Sequence, residues 1–120
     1  MKTLKVLGKA ISATMFLNGS DGSALASQSF IGKCLLQIND KKYIDGRCPI
    51  IVENDGGFSI GASESEPVSY FAIVTVTGKD IGDGYWNEEQ GASHAHTPLG
   101  KLSRNGACWS NKTARVCAWK

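Results

Sequence analysis

The stretch that decides the fold is residues 68–77, which read Val-Ser-Tyr-Phe-Ala-Ile-Val-Thr-Val-Thr. Alternate residues of an extended chain point to opposite faces, and here both faces carry mostly apolar or β-branched side chains. A run of this composition without a helical period indicates a β-strand. Because neither face is clearly polar, we expect a central strand of a sheet.

Shorter runs of the same kind lie on both sides of this strand. Turn-forming residues separate them at 54–57, 78–80, 83–84 and 105–106. The further predicted strands are residues 30–38, 42–44, 48–52, 58–61, 84–87, 99–104, 107–110 and 114–119. Short strands separated by frequent turns predict an all-β domain, either a small antiparallel barrel or a sandwich.

The chain has four cysteines, which fall into two pairs: Cys34 and Cys48, and Cys108 and Cys117. A hairpin loop at residues 40–42 would place the first pair directly opposite each other, and a turn at residues 112–113 would do the same for the second. Two disulfide-stapled hairpins are therefore the simplest interpretation. Four cysteines allow three pairings, so a bridge between the two hairpins stays open. Zinc is disfavoured because the spacings are longer than those of structural zinc sites.

The N-terminus has the features of an export signal. Three lysines in the first nine residues precede the apolar residues 10–17, and Ala24-Leu25-Ala26 fits the small-x-small cleavage rule. Residues 1–26 are predicted to be a signal peptide and residues 27–120 a single domain, in the periplasm or secreted. An amphipathic or disordered N-terminal tail is the alternative. The apolar run is far shorter than the roughly 20 residues that span a bilayer, so we expect no membrane span.

Net charge argues against nucleic acid as a partner. The whole chain has 13 Lys and Arg against 11 Asp and Glu, but residues 1–26 hold three of the bases and one acid, which leaves ten of each. A nucleic-acid-binding domain is expected to be strongly basic. Within the domain, residues 101–120 carry five bases and no acid, directly after an acidic segment. These charges either alternate on solvated strands or form a dipolar surface.

Residues 87–100 form the longest stretch without strand character, and they contain both histidines of the chain. Loops on rigid scaffolds often carry function. The predicted binding residues are Trp86, Ser93, His94, His96 and Thr97. His94 and His96 share one side of an extended chain, so they are also candidate ligands for Zn²⁺ or Cu²⁺, although two ligands alone make a weak site.

The sequence offers no complete catalytic group, so we expect no enzyme activity. Ser93 precedes His94, but adjacent residues of an extended chain point to opposite sides, and no nucleophile elbow is present. The paired carboxylates Glu88-Glu89 lie in a polar segment where solvation is the default. The three tryptophans either fill the core or form a platform for a sugar or a partner.

The closing segments resemble those of small exported bacterial proteins of no assigned function. The segments are His94-Ala95-His96-Thr97-Pro98-Leu99-Gly100, Gly106-Ala107-Cys108-Trp109 and Val116-Cys117-Ala118-Trp119. This resemblance implies a Gram-negative exported origin and no particular activity. In size, export and β-content the chain is also similar to periplasmic lysozyme inhibitors, which insert a polar loop into the acidic cleft of the enzyme.

The signature motif of those inhibitors has no match here, so no residue role is transferred from them. The resulting expectation is a binding or inhibitory module of the cell envelope, with an envelope protein or glycan as its partner. A metal-binding protein is the alternative, and an envelope component that assembles with its own copies is a third hypothesis.

Overall fold

The computed structural model describes residues 27–63 and 69–120. Every regular element within these residues is a β-strand, which confirms the predicted all-β class. The strands are β1 Gln28–Ile38, β2 Lys41–Val52, β3 Phe58–Ile60, β4 Ala72–Gly78, β5 Ile81–Trp86, β6 Thr97–Asn105, β7 Cys108–Ser110 and β8 Ala114–Trp119. The predicted signal peptide, residues 1–26, lies outside the described residues.

The eight strands form one closed barrel in which each strand pairs antiparallel with the next. The first strand closes the barrel by pairing with the last, from Lys33 opposite Trp119 to Ile38 opposite Ala114. Of the two architectures that the sequence allows, the barrel is therefore the one observed. Closure leaves no open sheet edge, so every strand has a neighbour on both sides.

Close backbone contact at this seam depends on a small residue in β1. A Cβ atom added to Gly32 would overlap the carbonyl oxygen of Trp119 and the tip of Ile50. Glycine is the residue that allows two backbones to approach this closely. The seam between β1 and β8 therefore depends on the absence of a side chain at position 32.

Both predicted disulfides are present, Cys34 to Cys48 and Cys108 to Cys117. Cys108 and Cys117 lie directly opposite each other, as the sequence predicted. For the first pair, the expectation of direct opposition is wrong, since Cys34 faces Gly46 and Cys48 faces Gly32.

The shift of the first pair has two causes in the β1–β2 hairpin. Asn39 and Asp40 both have positive φ angles, 50° and 71°, and make a two-residue turn, tighter than the predicted loop. A register shift between Leu36 and Gln37 then adds one residue to one side of the ladder. The bridge between Cys34 and Cys48 is therefore diagonal, with a Cα–Cα distance of 6.0 Å.

Inward-facing side chains fill the barrel. Six aliphatic residues are almost completely buried: Leu36, Ile50, Ile60, Val74, Leu102 and Val116. Trp86 and Trp109 are buried as well, whereas 36% of Trp119 is exposed. Two tryptophans therefore belong to the core, and the third lies on the outside with Lys33 above its ring. The Cys34–Cys48 disulfide is part of this core.

The stretch at residues 68–77 forms a strand only from Ala72 onward, and position 68 is outside the described residues. Strand β4 pairs with β3 and β5, as every strand of a closed barrel pairs with two neighbours, so the distinction between central and edge strands does not apply to it. Its outward side chains Ile73 and Thr75 are nevertheless exposed. A closed barrel has a single core inside it, so the outer side of each strand faces solvent even when it is apolar.

Successive connections lie at alternate ends of the barrel, because each strand runs opposite to the one before. One end, here called the loop end, carries residues 39–40, the described parts of the β3–β4 connection, residues 87–96 and residues 111–113. The other, the turn end, carries the short connections at 53–57, 79–80 and 106–107. No helix with the length and hydropathy of a membrane span occurs in residues 27–63 or 69–120.

Candidate functional site

The longest fully described connection of the barrel is the segment between β5 and β6. Residues 87–97, here called the histidine loop, leave the end of β5 at Asn87 and enter β6 at Thr97. Ser93, His94 and His96 are exposed, and Ala95 between the histidines is half-buried. The loop thus presents a polar crest at the loop end of the barrel.

Asn87 anchors this loop and is 5% exposed. Its Oδ1 accepts a hydrogen bond of 3.1 Å from the backbone N–H of Phe71. Its Nδ2 donates to the carbonyl oxygens of Ser69 at 3.0 Å and Ala92 at 3.1 Å. This buried side chain therefore joins the histidine loop to the neighbouring β3–β4 connection and also joins the two ends of residues 87–92. Both the oxygen and the nitrogen of the Asn87 amide have hydrogen-bond partners.

Two further hydrogen bonds fix the middle and the base of the loop. The backbone N–H of Gly91 donates to the carbonyl of Ser69 at 2.7 Å. The hydroxyl of Thr97 donates to a carboxylate oxygen of Glu88 at 2.8 Å, which closes the loop at its two ends. Glu88 and Gly91 both have positive φ angles, 57° and 83°. The loop is thus held by specific contacts on both sides of its exposed crest.

An aromatic cluster supports the loop end from below. Trp86 packs against Tyr43, with ring centroids 4.6 Å apart, and Tyr43 packs edge-on against Tyr70 at 5.1 Å. The ammonium of Lys41 lies 4.9 Å from the Tyr43 ring. Large rings in contact resist rearrangement and contribute about 0.5–1.5 kcal/mol per pair beyond the burial of their surface.

The structure separates the predicted binding residues into two groups. Trp86 lies in the core and supports the loop, so its ring is not available to a large partner. Ser93, His94 and His96 share the exposed crest, and Thr97 at its base is committed to Glu88. The crest is therefore the part of the predicted site that is exposed to solvent.

The two histidine rings lie together, with centroids 5.2 Å apart and planes inclined by 54°. In the described residues, no group of three or more His, Cys, Asp and Glu side chains is arranged to hold a metal ion. The acidic residues nearest in sequence, Asp83, Glu88 and Glu89, therefore do not complete such a group with the two histidines.

The charge alternation suggested by the sequence has a structural counterpart. Asp83 on β5 lies opposite Lys101 on β6. Opposite charges on facing strands stabilise a sheet weakly, and exposed pairs contribute little to folding. This pair fits the interpretation of solvated strand faces.

A polar groove of about 490 Å³ lies between two turns of the loop end. The backbone N–H of Asn39 donates to the carbonyl of Thr113 and joins these turns at 2.9 Å. Asp40, Lys112 and Arg115 line the groove. Charged groups of both signs thus lie at the same end of the barrel as the histidine loop.

Sequence reasoning missed Asn87 and Asn111, the two amides that hold this end together. Asn111 donates to the carbonyls of Leu99 and Lys101, while its Oδ1 accepts from the backbone N–H groups of Thr113 and Ala114. The hydrogen bonds from Thr113 and Ala114 could have been expected from the sequence, because Asn often accepts such bonds within its own turn. Burial of Asn87 has no local signal, because two of its three partners lie 16 and 18 residues away and only Ala92 is close in sequence.

No protein-family model, curated protein or solved structure matches this chain.

Proposed function

We propose that this protein is an exported binding or inhibitory module of the cell envelope that contacts an envelope protein or glycan with the crest of the histidine loop, residues 93–96. The single observation that carries the proposal is the anchoring of this loop by buried Asn87. A loop held in one conformation before binding loses little entropy when a partner docks. The proposal places the protein in the periplasm or outside the cell, where its two disulfides persist.

The chemistry of the crest agrees with a polar partner. Serine and histidine side chains supply hydrogen-bond donors and acceptors, and both histidines are exposed. Such exposed groups suit recognition of a polar partner, which is the function proposed here. Lysozyme and peptidoglycan are the first probes because of the general similarity to lysozyme inhibitors.

The double variant His94→Ala/His96→Ala is expected to weaken binding about tenfold or more, because it removes the polar groups of the crest and leaves the Asn87 anchor in place. Immobilised protein is tested for retention of lysozyme, and soluble protein is tested for sedimentation with purified peptidoglycan. Inhibition of lysozyme activity by the soluble protein is assayed in parallel. Pull-down from periplasmic extract identifies other envelope partners. Lys79→Ala, at the exposed β4–β5 turn of the turn end, is the matched control. Equal binding by wild type and the double variant would remove the crest from the proposed site.

A second candidate function, metal binding, is favoured by one observation, the 5.2 Å separation of the His94 and His96 rings. Zn²⁺ binds imidazole nitrogen at about 2.0 Å, so two neighbouring rings lie within reach of one ion, with water or another ligand completing the site. In this proposal the protein stores or senses Zn²⁺ or Cu²⁺ and the same crest is the site.

Calorimetric titration with Zn²⁺ and Cu²⁺ checks this alternative. We expect saturable binding of one ion at micromolar concentration, and its loss in His94→Ala/His96→Ala. Gln90→Ala, in the same loop, is expected to bind like wild type. A flat titration of the wild-type protein would exclude the metal proposal and leave the binding module as the remaining one.

A further inference from the structure

A second cavity lies at the turn end, on the opposite side of the molecule from the histidine loop. Its volume is about 310 Å³, and its lining comes from β1, β2 and β3 on one side and from β6, β7 and β8 on the other. Strands β3 and β7 are not neighbours in the barrel, so the cavity extends across the interior. It is the mouth of the barrel at this end.

The walls of this mouth are aromatic and aliphatic. Phe58 and Trp109 are each less than one-tenth exposed, and their ring centroids lie 6.4 Å apart. Phe30, Val52 and Ala118 are half-buried around them. The volume lies at the small end of the range typical of ligand sites, and eight-stranded barrels either fill their interior with side chains or hold one small ligand.

Two bases lie at the rim of this apolar mouth. Arg104 and Lys120 are exposed and line the cavity, and no acidic residue lines it. The Nε of Arg104 donates to the carbonyl oxygen of Gly106 at 3.1 Å, which orients the guanidinium. In residues 27–63 and 69–120 the single ion pair joins Lys42 to Asp45, so neither rim base is paired with an aspartate or glutamate of these residues.

We infer that the mouth of the barrel binds a small amphiphilic anion, a molecule with a short aliphatic or aromatic body and one carboxylate or sulfonate. The apolar body is removed from water against Phe58 and Trp109, which supplies affinity. The anionic group stays at the rim, where Arg104 offers a planar pair of donors and Lys120 a second positive charge. This inference is independent of the proposed function, because the two sites lie at opposite ends of the barrel.

Octanoate is the test ligand, and octanol is its uncharged counterpart. The affinity of each is measured by calorimetry and by displacement of anilinonaphthalene sulfonate, a fluorescent aromatic sulfonate. Wild-type protein is expected to bind one octanoate per chain and to bind it about tenfold more tightly than octanol. The variant Arg104→Gln/Lys120→Gln is expected to lose this preference while still binding octanol. Lys112→Gln/Arg115→Gln, at the loop end, removes the same charge elsewhere and is expected to behave like wild type.

A blocking variant tests the location of the site. Ala118→Phe places a ring in the mouth from a half-buried position and is expected to abolish binding of both octanoate and octanol, with circular dichroism confirming that the variant is folded. If Ala118→Phe does not fold, Ala107→Phe at the β7–β8 side of the rim serves instead. Absence of octanoate binding to the wild type overturns the inference. The inference is also overturned if Arg104→Gln/Lys120→Gln and Lys112→Gln/Arg115→Gln lose the preference for octanoate over octanol to the same extent.

Discussion

Removal of the interior disulfide by Cys34→Ala/Cys48→Ala is expected to lower the free energy of unfolding by about 4 kcal/mol. The cross-link closes a loop of roughly 15 residues, and in the chain-entropy model this contributes about 3 kcal/mol by restricting the unfolded chain. Cys34 is completely buried and Cys48 is 8% exposed, so loss of both sulfur atoms also leaves a void in the barrel core. A void of this size costs about 1 kcal/mol more.

Urea denaturation followed by tryptophan fluorescence measures this effect. Cys108→Ala/Cys117→Ala is the matched control, because its loop is only slightly shorter. Cys117 is completely buried but Cys108 is partly exposed, and neither belongs to the core cluster that contains Cys34 and Cys48. We expect the control to lose about 2–3 kcal/mol. The variant Cys34→Ala/Cys48→Val restores part of the missing volume and is expected to recover about 1 kcal/mol. Equal destabilisation by all three variants would show that the interior position of the first disulfide contributes nothing.

Local patterns were enough to predict the all-β class, and they made the observed disulfide pairing the simplest of three possible pairings. A hairpin brings residues that are symmetric about its turn into contact, so the spacing of Cys108 and Cys117 already places them opposite each other. The register of Cys34 and Cys48 was not predictable in the same way, because it depends on a tight turn at Asn39-Asp40 and on a one-residue shift. Such irregularities leave little trace in composition.

Closure of the barrel could not be predicted from the sequence. It depends on the pairing of β1 with β8, which brings Lys33 opposite Trp119. Periodicity reports on which side chains share a face of one strand and not on which strands meet. The exposed side of β4 is a second example. Ile73 is apolar and lies on the outside of the barrel, but the same residue in the same sequence context could lie in the core of a sandwich.

In the candidate site, too, the features set by local sequence were predictable and those set by remote contacts were not. The crest of the histidine loop was predictable, because a polar segment between two strands is expected to be exposed. The burial of Trp86 and the role of Asn87 were not predictable. Trp86 packs against Tyr43, and Asn87 bonds to Ser69 and Phe71, all of which are remote in sequence. The residues that hold the loop are therefore found only when the fold is known.

Asn87→Ala is expected to lower the free energy of unfolding by about 3 kcal/mol. The change deletes three hydrogen bonds, and it leaves the backbone N–H of Phe71 without its partner Oδ1. Phe71 is 7% exposed, and an unpaired donor in such a place costs about 1–3 kcal/mol in addition to the lost contacts. Urea denaturation gives the stability, and amide hydrogen exchange at Gly91 and Ala92 reports on the loop.

The same variant links stability to recognition. If the crest binds because Asn87 holds it in one conformation, Asn87→Ala weakens binding to the envelope partner about as much as His94→Ala/His96→Ala does, although it touches no crest side chain. Asn111→Ala is the control, since that amide also joins strands at the loop end but is exposed, and it is expected to cost about 1 kcal/mol and to leave binding unchanged. Full binding by a destabilised Asn87→Ala protein would mean that order in the loop is not what the partner recognises.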